Sequence, residues 1–331
     1  MTFKTLGAIA GLLTVCAAVQ PLTATTASAD ASFPNKPIRL LVTNPPGGPN
    51  DVLARIVADH VYKSLGQPVV VENKPGGNGN LAAETAAKAP ADGYTLLLGG
   101  ASVLATNQFL YKKLNYDQSK DFTAVAFAGR APLVLTVPAS LGPKTMAEFI
   151  AFAKSKKPGL NHGTPGVGTT PHLAAELLKL TAGFDSQMIP YRGTAAISDA
   201  MQKNEIDFSF EAINSAKPQH QAGKVRALAV SSSDPWPLFP GIPGMKEVGY
   251  PNIDVYAWFA IVAPAGTPKD IVDKLGKEIT TGMNSPESVQ RLETVGMRPL
   301  SLTPAQTAEF IGEETARWRK IITDAKIQPA E

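Results

Sequence analysis

Short apolar runs alternate with amphipathic segments along most of this 331-residue chain. In the first half, apolar runs at 38–42, 68–71 and 95–98 are separated by segments of helical periodicity at 51–65 and 81–89. Parallel strands need a crossover between them, so strands and helices that alternate in this way are typical of a doubly wound sheet. The pattern therefore predicts an α/β fold.

The same alternation continues beyond residue 130. Strands are predicted at 133–137, 206–210, 225–230 and 258–262, and helices at 145–156, 171–180 and 195–202. A capping box is predicted at Thr145 and Glu148. Three late helices are predicted to start at hydroxyl–proline pairs: Thr267-Pro268, Ser285-Pro286 and Thr303-Pro304. The segment 231–252 is rich in Pro, Gly and Ser, which predicts a long irregular connection.

The N-terminus has the layout of a secretory signal peptide. Lys4 precedes an apolar run over 6–19, and Ala27-Ser28-Ala29 matches the small-x-small pattern that signal peptidase cleaves. The run is shorter than the roughly 20 apolar residues that span a bilayer, although an uncleaved anchor is the alternative. We therefore predict that 1–29 is a signal peptide and that the mature protein is soluble, begins near Asp30 and lies in the periplasm.

The single cysteine and the modest net charge argue against disulfides, thiolate metal sites and nucleic-acid binding. Cys16 lies inside the predicted signal peptide, and Val15 before it does not fit a lipoprotein signal. The mature chain would then form no disulfide and no thiolate metal site. The net charge of +3 includes no block of Lys or Arg, which argues against a nucleic-acid partner. About 300 remaining residues suggest two domains.

Two glycine-rich turns follow predicted strands and precede predicted helices. They cover residues 44–51 (NPPGGPND) and 163–172 (GTPGVGTTPH). Glycine lets the backbone approach a ligand closely, and the first turn of a helix favours an anion. In open α/β sheets, ligands bind at such carboxyl ends of strands. The two turns could therefore grip one carboxylate across a cleft; two tight turns without a ligand are the alternative.

Motifs of common enzyme classes are absent from the sequence. There is no Gly-x-x-x-x-Gly-Lys-Ser/Thr phosphate loop, and the segment 100–104 (GASVL) lacks the final glycine of a nucleophile elbow. The segment 166–168 (GVG) lacks the third glycine of a dinucleotide fingerprint. The four histidines, His60, His162, His172 and His220, show no close zinc spacing. The sequence therefore predicts a binding protein that uses no metal or cofactor.

A series of short motifs resembles the Bug family, the TctC-type binding proteins of tripartite tricarboxylate transporters. The motifs are PNKPI at 34–38, PGGPND at 46–51, VENKPGG at 71–77, DGYTL at 92–96, PYRG at 190–193, ALAV at 227–230 and APAGTP at 263–268. Each motif is weak alone, but together and in this order they are highly specific. The resemblance extends from about residue 33 to the C-terminus.

The resemblance implies a type II periplasmic-binding-protein fold, in which two α/β domains joined by crossing strands close on a ligand. We expect a discontinuous first domain at 33–130 plus 255–331 and a second domain at 131–254. The strands at 133–137 and 258–262 would cross between them. The implied partners are a small organic carboxylate and the integral membrane subunits of a transporter, and we expect a monomer.

The resemblance also implies that a ligand carboxylate meets both glycine-rich turns, often through ordered waters. In the first domain it points to Pro45, Gly47, Gly48, Asn50, Asp51 and Ser102. In the second domain it points to Thr164, Gly166, Gly168, Thr169 and Tyr191, and Arg192 could either pair with a carboxylate or lie on the surface. Backbone amides are expected to do most of the holding, so that Gly168→Val should block the pocket.

Some of these residues have a structural alternative. Asp51 would repel an anion and could instead stabilise a helix N-terminus. His172 is expected to be structural, and Trp258 to belong to the hinge or the core. The sequence departs from the family pattern at four places: Thr43-Asn44 for Pro-Phe, Asn50 for Thr or Ser, Glu211 for Asp, and Asn204-Glu205 for Gly-Gln.

The sequence leaves the ligand open among a di- or tricarboxylate, an aromatic acid and an amino acid. The alternative functions are a periplasmic sensing subunit for a membrane receptor and a secreted hydrolase.

Overall fold

The computed structural model describes residues 1–2 and 33–329. The predicted signal peptide, apart from its first two residues, and its cleavage site lie outside the described residues. Across the described ranges, no helix combines the length and the apolar character that crossing a bilayer requires.

Strands and helices alternate along the described chain. The strands are β1 (Ile38–Val42), β2 (Val69–Asn73), β3 (Thr95–Gly100), β4 (Phe122–Pro138), β5 (Leu160–Thr164), β6 (Ser186–Pro190), β7 (Phe208–Ala212), β8 (Val225–Val230) and β9 (Tyr256–Pro264). The α-helices are α1 (Pro49–Leu65), α2 (Asn80–Ala87), α3 (Asn107–Leu110), α4 (Met146–Ser155), α5 (Thr170–Ala182), α6 (Thr194–Gln202), α7 (Ile213–Gln221), α8 (Lys269–Met283), α9 (Pro286–Thr294) and α10 (Pro304–Asp324). A 3₁₀ turn at Gly77–Gly79 and a π-helical turn at Ser102–Thr106 complete the set. The predicted α/β class is confirmed, and so is the irregular connection between β8 and β9.

The strands form one mixed sheet in the order β2-β1-β3-β9-β4-β7-β5-β6, and β8 also pairs with β4. The β1–β2, β1–β3, β5–β6 and β5–β7 pairs are parallel. By contrast, β4 and β9 pair antiparallel with each other and with their other neighbours. The predicted parallel arrangement therefore holds for the outer strands, whereas the two central strands run antiparallel.

Strand β4 joins two groups of strands because it is 17 residues long. Its first part, Phe122–Pro132, pairs with β9, which pairs with β3 on its other edge. Its second part, Leu133–Pro138, pairs with β7 and β8. We call β1–β3 with β9 the first strand group and β5–β8 the second strand group. The predicted domain boundaries near 130 and 255 stay a prediction.

Helices cover both faces of the first strand group. On β1, Leu40 and Val42 pack in a cluster with residues of α1 and α8, while Leu41 between them belongs to a second cluster on the opposite face. Side chains alternate across a strand, so a strand that is buried on both faces is apolar at nearly every position. This explains why β1 appears in the sequence as an uninterrupted apolar run.

Two of the three predicted hydroxyl–proline helix starts are confirmed. Ser285 accepts a hydrogen bond from the Ser288 amide at 3.2 Å and caps α9, and Thr303 forms a capping box with Gln306 on α10. The prediction for Thr267 is wrong, because α8 begins at Lys269 with Pro268 at its N-cap position and without a side-chain cap. Thr267 Oγ1 instead donates to the Pro264 carbonyl at 2.7 Å and closes the turn after β9.

The predicted capping box of α4 forms only in part. Thr145 accepts from the Glu148 amide at 3.2 Å, but the Glu148 carboxylate accepts from the Lys144 amide at 2.7 Å. The return bond to Thr145 that would complete the box is therefore replaced by one to its neighbour.

Candidate functional site

A cavity of about 480 Å³ is lined by residues from both strand groups. Part of its apolar lining comes from β4, β7 and β9: Ala131, Pro132, Leu133, Phe210, Ala212, Ala257, Trp258 and Phe259. Its polar lining consists of Thr43, Asn44, Asn78, Ser102, Thr169, Thr170, Thr194 and Glu211. None of the described lining residues is Lys, Arg or His. An anion in this cavity would therefore be held by neutral donors.

Four α-helices begin at the cavity. The residues that start them all line it: Pro49 of α1, Thr170 of α5, Thr194 of α6 and Ile213 of α7. First-turn amides lack an acceptor within their helix, and the helix dipole favours negative charge there. The start of α6 is missing from the predicted site, although Gly193 before an alanine-rich helix repeats the pattern of the other two turns.

The first glycine-rich turn is stabilised by its own side chains. The Gly47 amide donates to Asp51 Oδ2 at 3.1 Å, and Arg55 Nε donates to the same oxygen at 2.9 Å. The hydrogen bond from Arg55 is the main cause that lowers the pKa of Asp51. Asp51 thus interacts with the N-terminal turn of α1, which agrees with its alternative role of stabilising a helix N-terminus. The Gly47 amide is not free to hold a carboxylate.

Asn44 reaches the cavity from this turn. Its Oδ1 accepts hydrogen bonds from Thr43 Oγ1 and Asn50 Nδ2, and its carbonyl accepts from Asn73. These bonds fix the Asn44 amide beside the cavity, where the family pattern has an aromatic residue. The Asn44 side chain therefore adds a polar group to the lining.

The second glycine-rich turn is also internally bonded. The Gly168 amide donates to His172 Nδ1 at 3.1 Å, and Thr169 Oγ1 donates to the Gly166 carbonyl at 2.8 Å. The expected structural role of His172 agrees with this geometry. Of this turn and the start of α5, Pro165 and Thr169–Pro171 line the cavity.

Gly168 faces the π-helical turn and α3 and does not line the cavity. Its carbonyl accepts from Thr106 Oγ1 at 3.2 Å, and its φ is +76°. A Cβ added at Gly168 would lie 2.3 Å from Leu110 Cδ1. The expectation that Gly168→Val fills the carboxylate space therefore needs correction, because the side chain would collide with α3.

The loop before α2 is a further contributor that the sequence reasoning missed. Gly76, Asn78 and Gly79 line the cavity, and Asn78 adopts a left-handed conformation with φ of 54°. Asn78 Nδ2 donates to Asn107 Oδ1 at 3.0 Å, which fixes the loop to α3. This loop includes the end of the VENKPGG motif, which marks the family resemblance but did not indicate a role in the site.

The predicted site residues fall into two sets. Pro45, Ser102 and Thr169 line the cavity. The others lie in the two turns or behind them and are not part of the lining: Gly47, Gly48, Asn50, Asp51, Thr164, Gly166, Gly168, Tyr191 and Arg192. Thr164 is fully buried, Tyr191 packs beside Ile197, and Arg192 is exposed.

Trp258 lines the cavity and belongs to the core. Its indole Nε1 donates to Glu314 Oε2 at 2.8 Å, and Trp318 Nε1 donates to the same oxygen at 2.9 Å. Both tryptophans are buried, and Phe310 packs edge-on against Trp258. Helix α10 thus fixes one wall of the cavity.

Glu211 is the one carboxyl group among the described lining residues. It is 1% exposed, and its oxygens contact Thr136 Oγ1 at 2.8 Å and Ser215 Oγ at 3.3 Å. Burial raises the pKa of Glu211, while hydrogen bonds from Thr136, Ser215 and Ser198 act in the opposite direction. The carboxyl group is thus shifted towards its neutral form.

A second buried cluster lies behind the second turn. His162, His172 and Glu176 place their ligand atoms within 4.8 Å of one another, although the sequence spacing did not suggest a metal site. Because His172 Nδ1 accepts from the Gly168 amide, the proton of a neutral ring lies on Nε2, which a metal would need. Lys179 also binds both carboxylate oxygens of Glu176 at 2.9 Å. This geometry fits hydrogen bonding better than metal coordination.

Comparison with known proteins gives a consistent result. The family described as "Tripartite tricarboxylate transporter family receptor" (TctC) matches residues 53–327. Protein BugT of Bordetella pertussis is 36% identical over 304 residues, which cover 91% of this chain and 93% of BugT.

Two solved structures from Rhodopseudomonas palustris are similar throughout. The protein Rpa4515 with adipate has 33% identity and a TM-score of 0.82, covering 90% of this chain and 100% of its own. MatC with bound malate has 31% identity and a TM-score of 0.77, covering 88% and 100%. The predicted family and the predicted type of fold are thereby confirmed.

Proposed function

We propose that this protein captures a small organic carboxylate and delivers it to the membrane subunits of a tripartite tricarboxylate transporter. The proposal starts from its family, because this chain belongs to the TctC family of tripartite tricarboxylate transporter receptors. The observation that carries the proposal is the cavity at which α1, α5, α6 and α7 begin. Their N-termini attract negative charge, and no cationic side chain among the described lining residues competes for it.

The composition of the lining favours an aliphatic carboxylate as the ligand. Apolar residues such as Ala131, Leu133 and Ala257 lie among the polar ones, so a hydrocarbon chain could pack while a carboxylate meets the helix N-termini. The two similar proteins that hold adipate and malate support this class of ligand.

We further propose that the chain closes on its ligand as two domains, at 33–130 plus 255–331 and at 131–254. Strands β4 and β9 would connect them, and the bond from Thr106 to the Gly168 carbonyl would form on closure. Carboxylate recognition would involve Pro45, Ser102 and Thr169 directly. The glycine-rich turns would act mainly by positioning the helix starts.

The remaining parts of the proposal concern location and partners. We propose that residues 1–29 direct export to the periplasm and are removed, and that the mature chain acts as a monomer without catalytic activity, metal or nucleic acid. N-terminal sequencing of periplasmic extract should begin near Asp30. Met1 retained in a membrane fraction would contradict export with cleavage.

A thermal-shift screen tests the ligand class. Adipate and malate should raise the unfolding temperature, because a ligand at 100 times its Kd adds about 2.7 kcal/mol to the free energy of unfolding. Adipamide, which has the same chain without charge, is the matched control and should give no shift. Stabilisation by adipamide or by neutral solutes alone would contradict carboxylate capture.

A further inference from the structure

Glu211 is a carboxyl group inside a cavity that we propose to hold an anion. It lies on β7 and is 1% exposed, so almost no water reaches it. An ionised Glu211 would place a negative charge beside a bound carboxylate in surroundings of low polarity, where like charges repel strongly. The protonation of Glu211 therefore bears directly on ligand binding.

The hydrogen bonds of Thr136 indicate where a proton lies. Thr136 Oγ1 is 2.8 Å from Glu211 Oε1 and 3.2 Å from the Ser209 carbonyl oxygen. A hydroxyl has one hydrogen, and a carbonyl oxygen can only accept. A proton on Glu211 Oε1 satisfies both contacts, since Glu211 then donates to Thr136 and Thr136 donates to the carbonyl. An ionised Glu211 leaves one of these contacts between two acceptors.

The other oxygen of Glu211 needs no proton of its own. Ser215 Oγ lies 3.3 Å from Glu211 Oε2, and Gln219 Nε2 donates to Ser215 Oγ. The Ser215 hydrogen is therefore available for Glu211. One proton on Glu211 completes the hydrogen bonding of this buried group.

No charged group that would stabilise an ionised Glu211 faces it from β5 or α5. On β7, Phe208 points to the face that carries His162, whose ring lies 5.3 Å from it. Glu211 is three positions further along and points to the opposite face. The titratable residues His172, Glu176 and Lys179 of α5 belong with His162 on that other face.

The charged side chains of the elements on the Glu211 side are either exposed or engaged with other groups. On α6, Asp199 is exposed. On α7, Lys217 Nζ donates to the Leu238 carbonyl at 3.0 Å, and His220 Nδ1 accepts from the Ala227 amide at 3.3 Å. On β4, Arg130 stacks on the Tyr256 ring with its guanidinium carbon 4.2 Å from the ring centre.

We propose that Glu211 carries a proton in the ligand-free protein and keeps it while the cavity holds the ligand carboxylate, so that anion binding and the neutral state of Glu211 favour each other. The inference rests on the proposed function. Loss of the proton would weaken binding, and affinity should therefore fall as the pH rises through the pKa of Glu211. Burial raises that pKa in the direction this coupling requires.

Titration calorimetry with adipate from about pH 6 to about pH 9 tests the coupling. Wild-type Kd should rise by up to tenfold per pH unit above the Glu211 pKa. Glu211→Gln, which imitates the neutral acid, should remove this rise and bind more tightly than wild type at the alkaline end. Glu309→Gln, an exposed change on α10, should keep the wild-type slope. Equal slopes in wild type and Glu211→Gln, or weaker binding by Glu211→Gln throughout, would overturn the inference.

Infrared spectroscopy tests the proton without relying on a ligand. The difference spectrum between wild type and Glu211→Gln at neutral pH should contain the band of a protonated carboxyl group. A carboxylate band in its place would overturn the inference. If the protonated band is present but no carboxylate binds wild type, the proposed function fails while the assigned protonation stands.

Discussion

At the scale of single residues, Glu314 shows how one polar group can fix a wall of the cavity. Its Oε2 accepts hydrogen bonds from both Trp258 and Trp318. Glu314→Ala should lower the free energy of unfolding by about 2–5 kcal/mol, because two buried indole N–H groups lose their acceptor. Chemical denaturation measures this loss.

The neighbouring residue on the same helix provides the control. Glu313 is exposed, so Glu313→Ala should change the free energy of unfolding by less than about 0.5 kcal/mol. Equal losses in the two variants would mean that the indole bonds contribute nothing specific.

The buried histidines predict a sensitivity to acid. Burial is the main cause that lowers the pKa of His162 to about 3 and of His172 to about 4. Both are therefore neutral in the folded state, whereas in the unfolded chain they take up protons below about 6.5. Stability should be complete above about pH 6.5 and should fall as the pH decreases towards 4.

Denaturation at several pH values checks this prediction. His172→Asn keeps an acceptor for the Gly168 amide but cannot titrate, and it should lose less stability on acidification than wild type. A wild-type protein equally stable at pH 7 and pH 4 would contradict the prediction.

The residue types in the sequence indicated the kind of ligand recognition, but they did not identify the atoms that would perform it. Glycine-rich turns indicated helix starts, and helix starts do line the cavity. The sequence could not show that Asp51 and His172 occupy the Gly47 and Gly168 amides, since both bonds depend on the folded path of each turn. The cluster of His162 with His172 likewise forms only when β5 packs against α5.

At the scale of elements, success depended on whether a segment carries its own apolar pattern. β1 and α1 do, and both were predicted almost to the residue. β5 (LNHGT) and β6 (SQMIP) lack such a pattern and form because they pair with each other in parallel. The first part of β4 was missed as well, because its Ala-rich segment becomes a strand only through pairing with β9.

The second turn provides a test that separates a structural role from a blocked pocket. Gly168→Ala should lower the unfolding temperature of the ligand-free protein, because its Cβ would collide with Leu110. Gly166→Ala is the matched control, since Gly166 also has a positive φ but has nothing within 4 Å of an added Cβ. If both substitutions lower the unfolding temperature equally, the effect at Gly168 comes from backbone strain and not from a collision with Leu110.

At the scale of the whole molecule, the bond between Thr106 and the Gly168 carbonyl joins the π-helical turn after β3 to the glycine-rich turn after β5. Thr106→Val keeps the volume but removes the donor, and the net value of one hydrogen bond is about 0.5–1.5 kcal/mol. We therefore expect Kd for the carboxylate to rise by roughly 2- to 10-fold. Thr85→Val, which loses an exposed bond within α2, should leave Kd unchanged. A Thr106→Val protein with wild-type Kd would exclude this bond from closure.

The position of β9 has a consequence for how the chain is made. β9 lies between β3 and β4 in the sheet, yet about 155 residues separate it from β3 along the chain. During synthesis, β3 therefore keeps an unpaired edge until nearly the whole polypeptide has emerged. The second strand group needs only the adjoining β4. The segment 131–254 should therefore fold before the first strand group is complete, and a chain truncated before β9 would leave the edges of β3 and β4 unpaired, which invites aggregation.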